Sequence, residues 1–119
     1  MFVYITRYRL SETRSKMTDW RELKIMTRAL ADVARLTIVY HLAHQDETTV
    51  TALTELLGIS QPLVSWHLRK LRRAGFINTR RAGRQVFFSL DKKRFQYCLQ
   101  SLATLVDPTI TVGPFPDGN

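Results

Sequence analysis

Pro62, Trp66, Arg69 and Arg73 fall on one side of a helical projection, with Lys70 beside them. At 100° per residue, Val64, Leu68 and Leu71 fall on the other side. An aromatic ring among fixed cations, turned away from an apolar stripe, is equipped to grip a polyanion rather than to make or break bonds. A second basic group follows at Arg80, Arg81 and Arg84. Between Ser60 and Arg94, ten lysines and arginines face a single acid, Asp91, so this stretch holds more than the whole net charge of +8. A solvated basic face without a partner is the plain alternative, and the concentration of charge argues against it.

Other chemistry finds less material. His41 and His44 stand three apart, followed by Asp46 and Glu47, and are weak candidates for a metal site. No third strong ligand follows at a fixed spacing, so the reading adopted is one buried and one surface histidine, with no metal and no cofactor. His67 lies beside the apolar face of its helix and is expected to pack against a neighbouring helix while touching a phosphate. Cys98 is the only cysteine. It allows no internal disulfide, fits a reducing cytoplasm, and falls in an apolar stripe where a core or interface role is simplest. A redox role for Cys98 is the alternative. No glycine-rich phosphate loop, paired-carboxylate site or Ser/His/Asp set stands in recognisable context, so no enzyme is expected.

The elements that position these residues can be read along the 119 residues, a length suited to one domain. With 45% hydrophobic and 24% charged residues, the composition is that of a globular protein, and no apolar run is long enough to span a bilayer. Residues 1–17 are a polar, basic lead-in read as an extension. Its run Phe2–Ile5, interrupted at Arg7 and Arg9, is too short for a secretion signal. Residues 18–106 form the domain, and residues 107–119 a flexible tail.

A first helix starts at Thr18 or Asp19 and ends near Ala31, with Trp20, Leu23, Met26 and Leu30 at helical spacing. A second runs from Asp32 to His44, apolar nearly all round, with Val33, Leu36, Val39, Tyr40 and Ala43 on one side. Such a helix is expected at the centre of a small domain. A third, Val50 to Leu57, stops at Gly58. The fourth, Gln61 to Ala74, is capped by Ser60 with Pro62 in its first turn. The third and fourth make a helix-turn-helix. Strands over Phe76–Arg81 and Arg84–Leu90 meet at a turn on Ala82–Gly83. A last helix, Lys92 to Val106, carries Phe95, Cys98, Leu99, Leu102, Leu105 and Val106 at helical spacing.

The run beginning LADVARLTIV, then LTELLGISQPLVSWHLRKLRRAGFI, then RRAGRQVFFSL, resembles the ArsR/SmtB family of repressors over residues 20–106. The resemblance implies a mainly α winged helix-turn-helix, with four helices, a β-hairpin and a fifth helix. It implies a homodimer joined through the first and last helices, here Trp20, Leu23, Met26, Leu30, Phe95, Leu99, Leu102 and Leu105. It further implies repression through double-stranded DNA, often relieved by a small effector. The family's DNA-reading positions fall on Gln61, Pro62, Ser65 and Trp66, next to Ser60, with Arg81 and Arg84 in the wing.

On that reading Gln61 bonds an adenine edge, Ser65 serves a base or a phosphate, and Trp66 presses on a thymine methyl. Arg69, Lys70 and Arg73 neutralise phosphates. The family's metal positions are occupied by Thr49-Val50-Thr51 and by Lys92, Arg94, Leu105 and Pro108, none of them suited to the usual sensing site. A sequence-tolerant architectural DNA binder, or a sensor of a non-metal effector or of redox state through Cys98, are the alternatives.

Overall fold

A computed structural model describes residues 19–107 and Thr109. Five helices and one hairpin follow in the order α1 (Trp20–Leu30), α2 (Val33–Ala43), α3 (Val50–Leu57), α4 (Gln61–Arg73), β1 (Ile77–Ala82), β2 (Gln85–Leu90) and α5 (Lys92–Ala103). The extension read over residues 1–17 and nearly all of the tail lie outside the described residues.

Local chemistry sets these boundaries. Asp19, Asp32, Thr49, Ser60 and Asp91 each cap a helix, their side-chain oxygens accepting from backbone N–H groups of the first turn. Gly58 ends α3 in the left-handed region, at φ 68°. Pro62 sits in the first turn of α4, where no intrahelical donor is needed. The last helix stops at Ala103 rather than Val106. Leu105 and Val106 instead donate to carbonyls three residues back, the tightening typical of a helix end ahead of a proline.

The strands pair antiparallel in the register Ile77↔Leu90 to Ala82↔Gln85. This moves the turn from Ala82–Gly83 to Gly83–Arg84 and takes Arg84 out of the strand. Gly83 at φ 63° is the reason, because tight hairpin turns place a positive φ at their first central residue. A further rung ties the hairpin down. Thr48 donates to the Phe88 carbonyl at 2.9 Å and accepts from the Phe88 N–H at 2.8 Å, anchoring the wing to the lead-in of α3.

The core gathers Met26 from α1, Ile38 and Leu42 from α2, Leu53 from α3, Val64, Leu68 and Leu71 from α4, and Tyr97 and Cys98 from α5. Phe76 is fully buried where α4 turns into the hairpin, and its ring meets Phe95 at 5.8 Å between centroids. Burying a side chain of this kind stabilises by about 1.5–3 kcal/mol.

The orientation of α2 differs from the expectation. Its buried face is Arg35, Ile38, Val39 and Leu42, whereas Val33 is 80% exposed and Tyr40 68% exposed. A helix apolar on nearly every side gives no direction of its own. Polar contacts made by Arg35 decide which way it turns.

Candidate nucleic-acid interface

Gln61, Pro62, Arg69 and Arg73 of α4 are exposed, as is Ser60 at its cap, while Ser65 and Lys70 are half-buried on the same helix. Core contacts of Val64, Leu68 and Leu71 turn this polar and cationic face outward. Trp66 is 41% exposed, and its ring carries two cations, Lys70 Nζ at 5.1 Å and the Arg35 guanidinium at 5.5 Å from the centroid. It therefore organises charge around itself as well as presenting an edge to solvent.

The wing residues divide. Arg81 and Arg84 are exposed, and neither forms an ion pair among the described residues. Arg80, grouped with them by sequence, is instead held by Glu47 through two hydrogen bonds of 2.8 Å and lies over the Phe87 ring at 4.6 Å. The hydrogen bonds from Arg80 hold the Glu47 carboxyl below its ordinary range. This pair braces the hairpin against the loop before α3, leaving Arg81 and Arg84 to reach outward.

Beneath the face, His67 is buried, with Nδ1 3.0 Å from Arg35 Nη1. An arginine only donates, so Nδ1 accepts and the ring is neutral. Burial lowers the His67 pKa from the ordinary value; the charge of Asp32 opposes the shift and that of Arg35 adds to it. Arg35 also donates through Nε to the Ala29 carbonyl at 2.7 Å and through Nη2 to the Arg28 carbonyl at 3.4 Å. One buried side chain thus joins the end of α1 to the middle of α4.

Arg94 plays a similar part from α5. Its Nε donates to the Ala74 carbonyl at 2.9 Å, and Nη2 pairs with Glu22 of α1 at 3.1 Å. Gly75 has to be glycine here: its φ is 89°, and a Cβ would lie 2.7 Å from Arg94 Nε.

Residues assigned to a dimer seam fall into two groups. Leu23 and Met26 point into the protomer's own core, so they are not surface available to a partner. Trp20, Leu99 and Leu105 are exposed, and Leu30, Phe95 and Leu102 are half-buried. The heptad-like spacing of α1 could not tell a stripe serving the protomer from one serving a partner.

His41 is half-buried rather than buried, and His44 is exposed with Nδ1 2.7 Å from the Tyr40 carbonyl. Among the described residues no group of three or more His, Cys, Asp or Glu side chains converges as a metal site would. Cys98 is fully buried, and that burial raises its thiol pKa, with Arg94 opposing. A thiol kept protonated and out of water is a poor redox sensor.

Sequence reasoning assigns no role to Arg28 or Arg35. A lone arginine in the apolar run Val33–Ala43 is the available signal for Arg35.

A two-helix turn whose second helix presents a cationic face, followed by a braced basic hairpin, defines a winged helix-turn-helix protein. Residues 32–79 match the family model of bacterial regulatory proteins described as the arsR family. The chain is 36% identical over 83 residues to the arsenic resistance transcriptional regulator of Pseudomonas putida, covering 70% of this chain and 65% of that one. It is 34% identical over 82 residues to the arsenical resistance operon repressor of Bacillus subtilis, covering 69% and 76%. Among solved structures, the transcriptional repressor BigR from Xylella fastidiosa aligns with a TM-score of 0.57 at 29% identity, over 84% of this chain and 95% of that one. The chain belongs to the ArsR family of transcriptional regulators, which are not enzymes.

No helix among the described residues is long and apolar enough to cross a membrane.

Proposed function

We propose that this chain is a homodimeric repressor that acts in the cytoplasm by binding a palindromic double-stranded operator. The observation that carries this reading is the outward face of α4. Gln61, Arg69 and Arg73 stand exposed along one helix, with Arg81 and Arg84 extending it across the wing. Phosphates held by the arginines supply most of the affinity, and Gln61 and Ser65 at the start of α4 read base edges. Trp20, Leu99, Leu102 and Leu105 form the seam that sets two recognition helices about one DNA turn apart. The metal positions of the family are replaced here by residues such as Thr49 and Thr51, so arsenic, which the names of two relatives print, is not assigned as an effector.

Binding titrations on a preferred operator and on random duplex test the division of labour. Gln61→Ala should cost about 1–3 kcal/mol on the operator and much less on random DNA. Arg84→Ala should weaken both alike and reduce the salt dependence by about one unit for each phosphate no longer neutralised. If Gln61→Ala weakens both DNAs equally, base reading by the start of α4 is wrong.

A further inference from the structure

We propose that the cleft between α1, α2 and α4 binds a small organic anion, a carboxylate on a planar apolar body. The cleft encloses about 310 Å³, and four of its lining residues are cations: Arg28, Arg35, Lys70 and Arg73. No acid lines it. Arg35 is the informative member, because it is only 8% exposed and yet takes part in no ion pair among the described residues. A buried guanidinium is ordinarily matched by a carboxylate.

The partners that Arg35 does have are two carbonyls and a neutral imidazole. Among the described residues they use three of its five N–H groups, which leaves one on each terminal nitrogen for a ligand oxygen.

The rest of the wall favours an apolar body behind the charge. Trp66, whose ring already carries Lys70 and Arg35, and Ile25 add apolar surface to the wall. A volume of this order suits a ligand of one or two rings. A duplex phosphate, fixed on a stiff rod, meets exposed Arg28 and Arg73 at the rim, whereas Arg35 is buried deeper.

Occupancy would have a consequence for α4. Lys70 and Arg73 belong to both the cleft and the outward cationic face, so an anion there competes with DNA phosphates for them. That consequence rests on the DNA-binding reading; occupancy of the cleft does not.

The test is a titration of the intact chain without DNA, at constant ionic strength, followed through the indole N–H signals in nitrogen–proton correlation spectra. Trp66→Phe assigns the two indoles. Benzoate should shift the Trp66 signal saturably with a millimolar Kd and leave Trp20 in place. Benzyl alcohol and inorganic phosphate, which lack the charge and the ring respectively, should bind at least about tenfold more weakly. The rim variant Arg28→Gln/Lys70→Gln, which spares buried Arg35, should weaken benzoate about tenfold.

The proposal is overturned if benzoate gives no saturable Trp66 shift up to about 20 mM. It is equally overturned if the alcohol or phosphate matches benzoate, or if the rim variant binds benzoate unchanged. With no DNA present, a failure of the DNA-binding reading leaves this result untouched.

Discussion

Replacing Arg35 with Met keeps a long, flexible side chain but removes the charge and all its donors. Three acceptors are affected, at 2.7 Å (Ala29 carbonyl), 3.0 Å (His67 Nδ1) and 3.4 Å (Arg28 carbonyl). The Arg28 carbonyl keeps a second partner, the Ala31 N–H at 3.2 Å, so two groups are seriously deprived. Leaving a buried acceptor unsatisfied costs about 1–3 kcal/mol each. Relief from burying a guanidinium without a carboxylate partner offsets part of this, and the net expectation is a loss of about 2 kcal/mol.

Urea unfolding at a fixed protomer concentration measures that loss, since association would otherwise change the apparent stability. Adding His67→Leu to Arg35→Met should cost less than the sum of the single changes, with a coupling of about 1 kcal/mol. A stability gain in Arg35→Met, or simple additivity of the pair, would refute the view that this arginine fastens α1 to α4.

Three further outcomes follow from the same geometry. Gly75→Ala places a Cβ 2.7 Å from Arg94 Nε at a φ of 89°, and should destabilise by about 1–3 kcal/mol in the same urea assay. The His67 pKa lies below its ordinary value of 6.5, so the unfolded chain takes up this proton first as pH falls. Its contribution is therefore complete above about pH 6.5 and is lost on acidification through the window beneath it, a slope that His67→Gln should remove from unfolding midpoints. Leu99 is 51% exposed on α5, and Leu99→Glu should dissociate the proposed dimer in sedimentation while leaving the protomer folded; a wild-type monomer would refute the dimer, and a dimer unchanged by the substitution would refute this seam.

Much of the fold was legible because it is written in local signals. Asp19, Asp32 and Ser60 are cap residues, Gly58 and Gly75 mark helix ends, and the alternation of Val86, Phe88 and Leu90 marks a strand. The outward set on α4 was legible for a related reason, since Val64, Leu68 and Leu71 point one way and the cations the other.

What escaped depends on contacts distant in sequence. Arg80 and Glu47 are 33 residues apart, so their pairing could not be separated from the basic cluster at the wing. Arg35 reads as surface by residue type, yet carbonyls at the end of α1 and the His67 ring draw it inward and turn α2 with it. Leu23 and Met26 illustrate a third limit: an apolar stripe names a buried face without naming what buries it.

The central claim is sequence-specific binding through α4 and the wing. Fluorescence anisotropy of the intact chain on a duplex from upstream of its own coding region, against a random duplex of equal length and at several salt concentrations, tests it most directly. The account predicts binding to the upstream duplex tighter by about a thousandfold or more, with both affinities falling steeply as salt rises. Equal affinities for the two duplexes would contradict it.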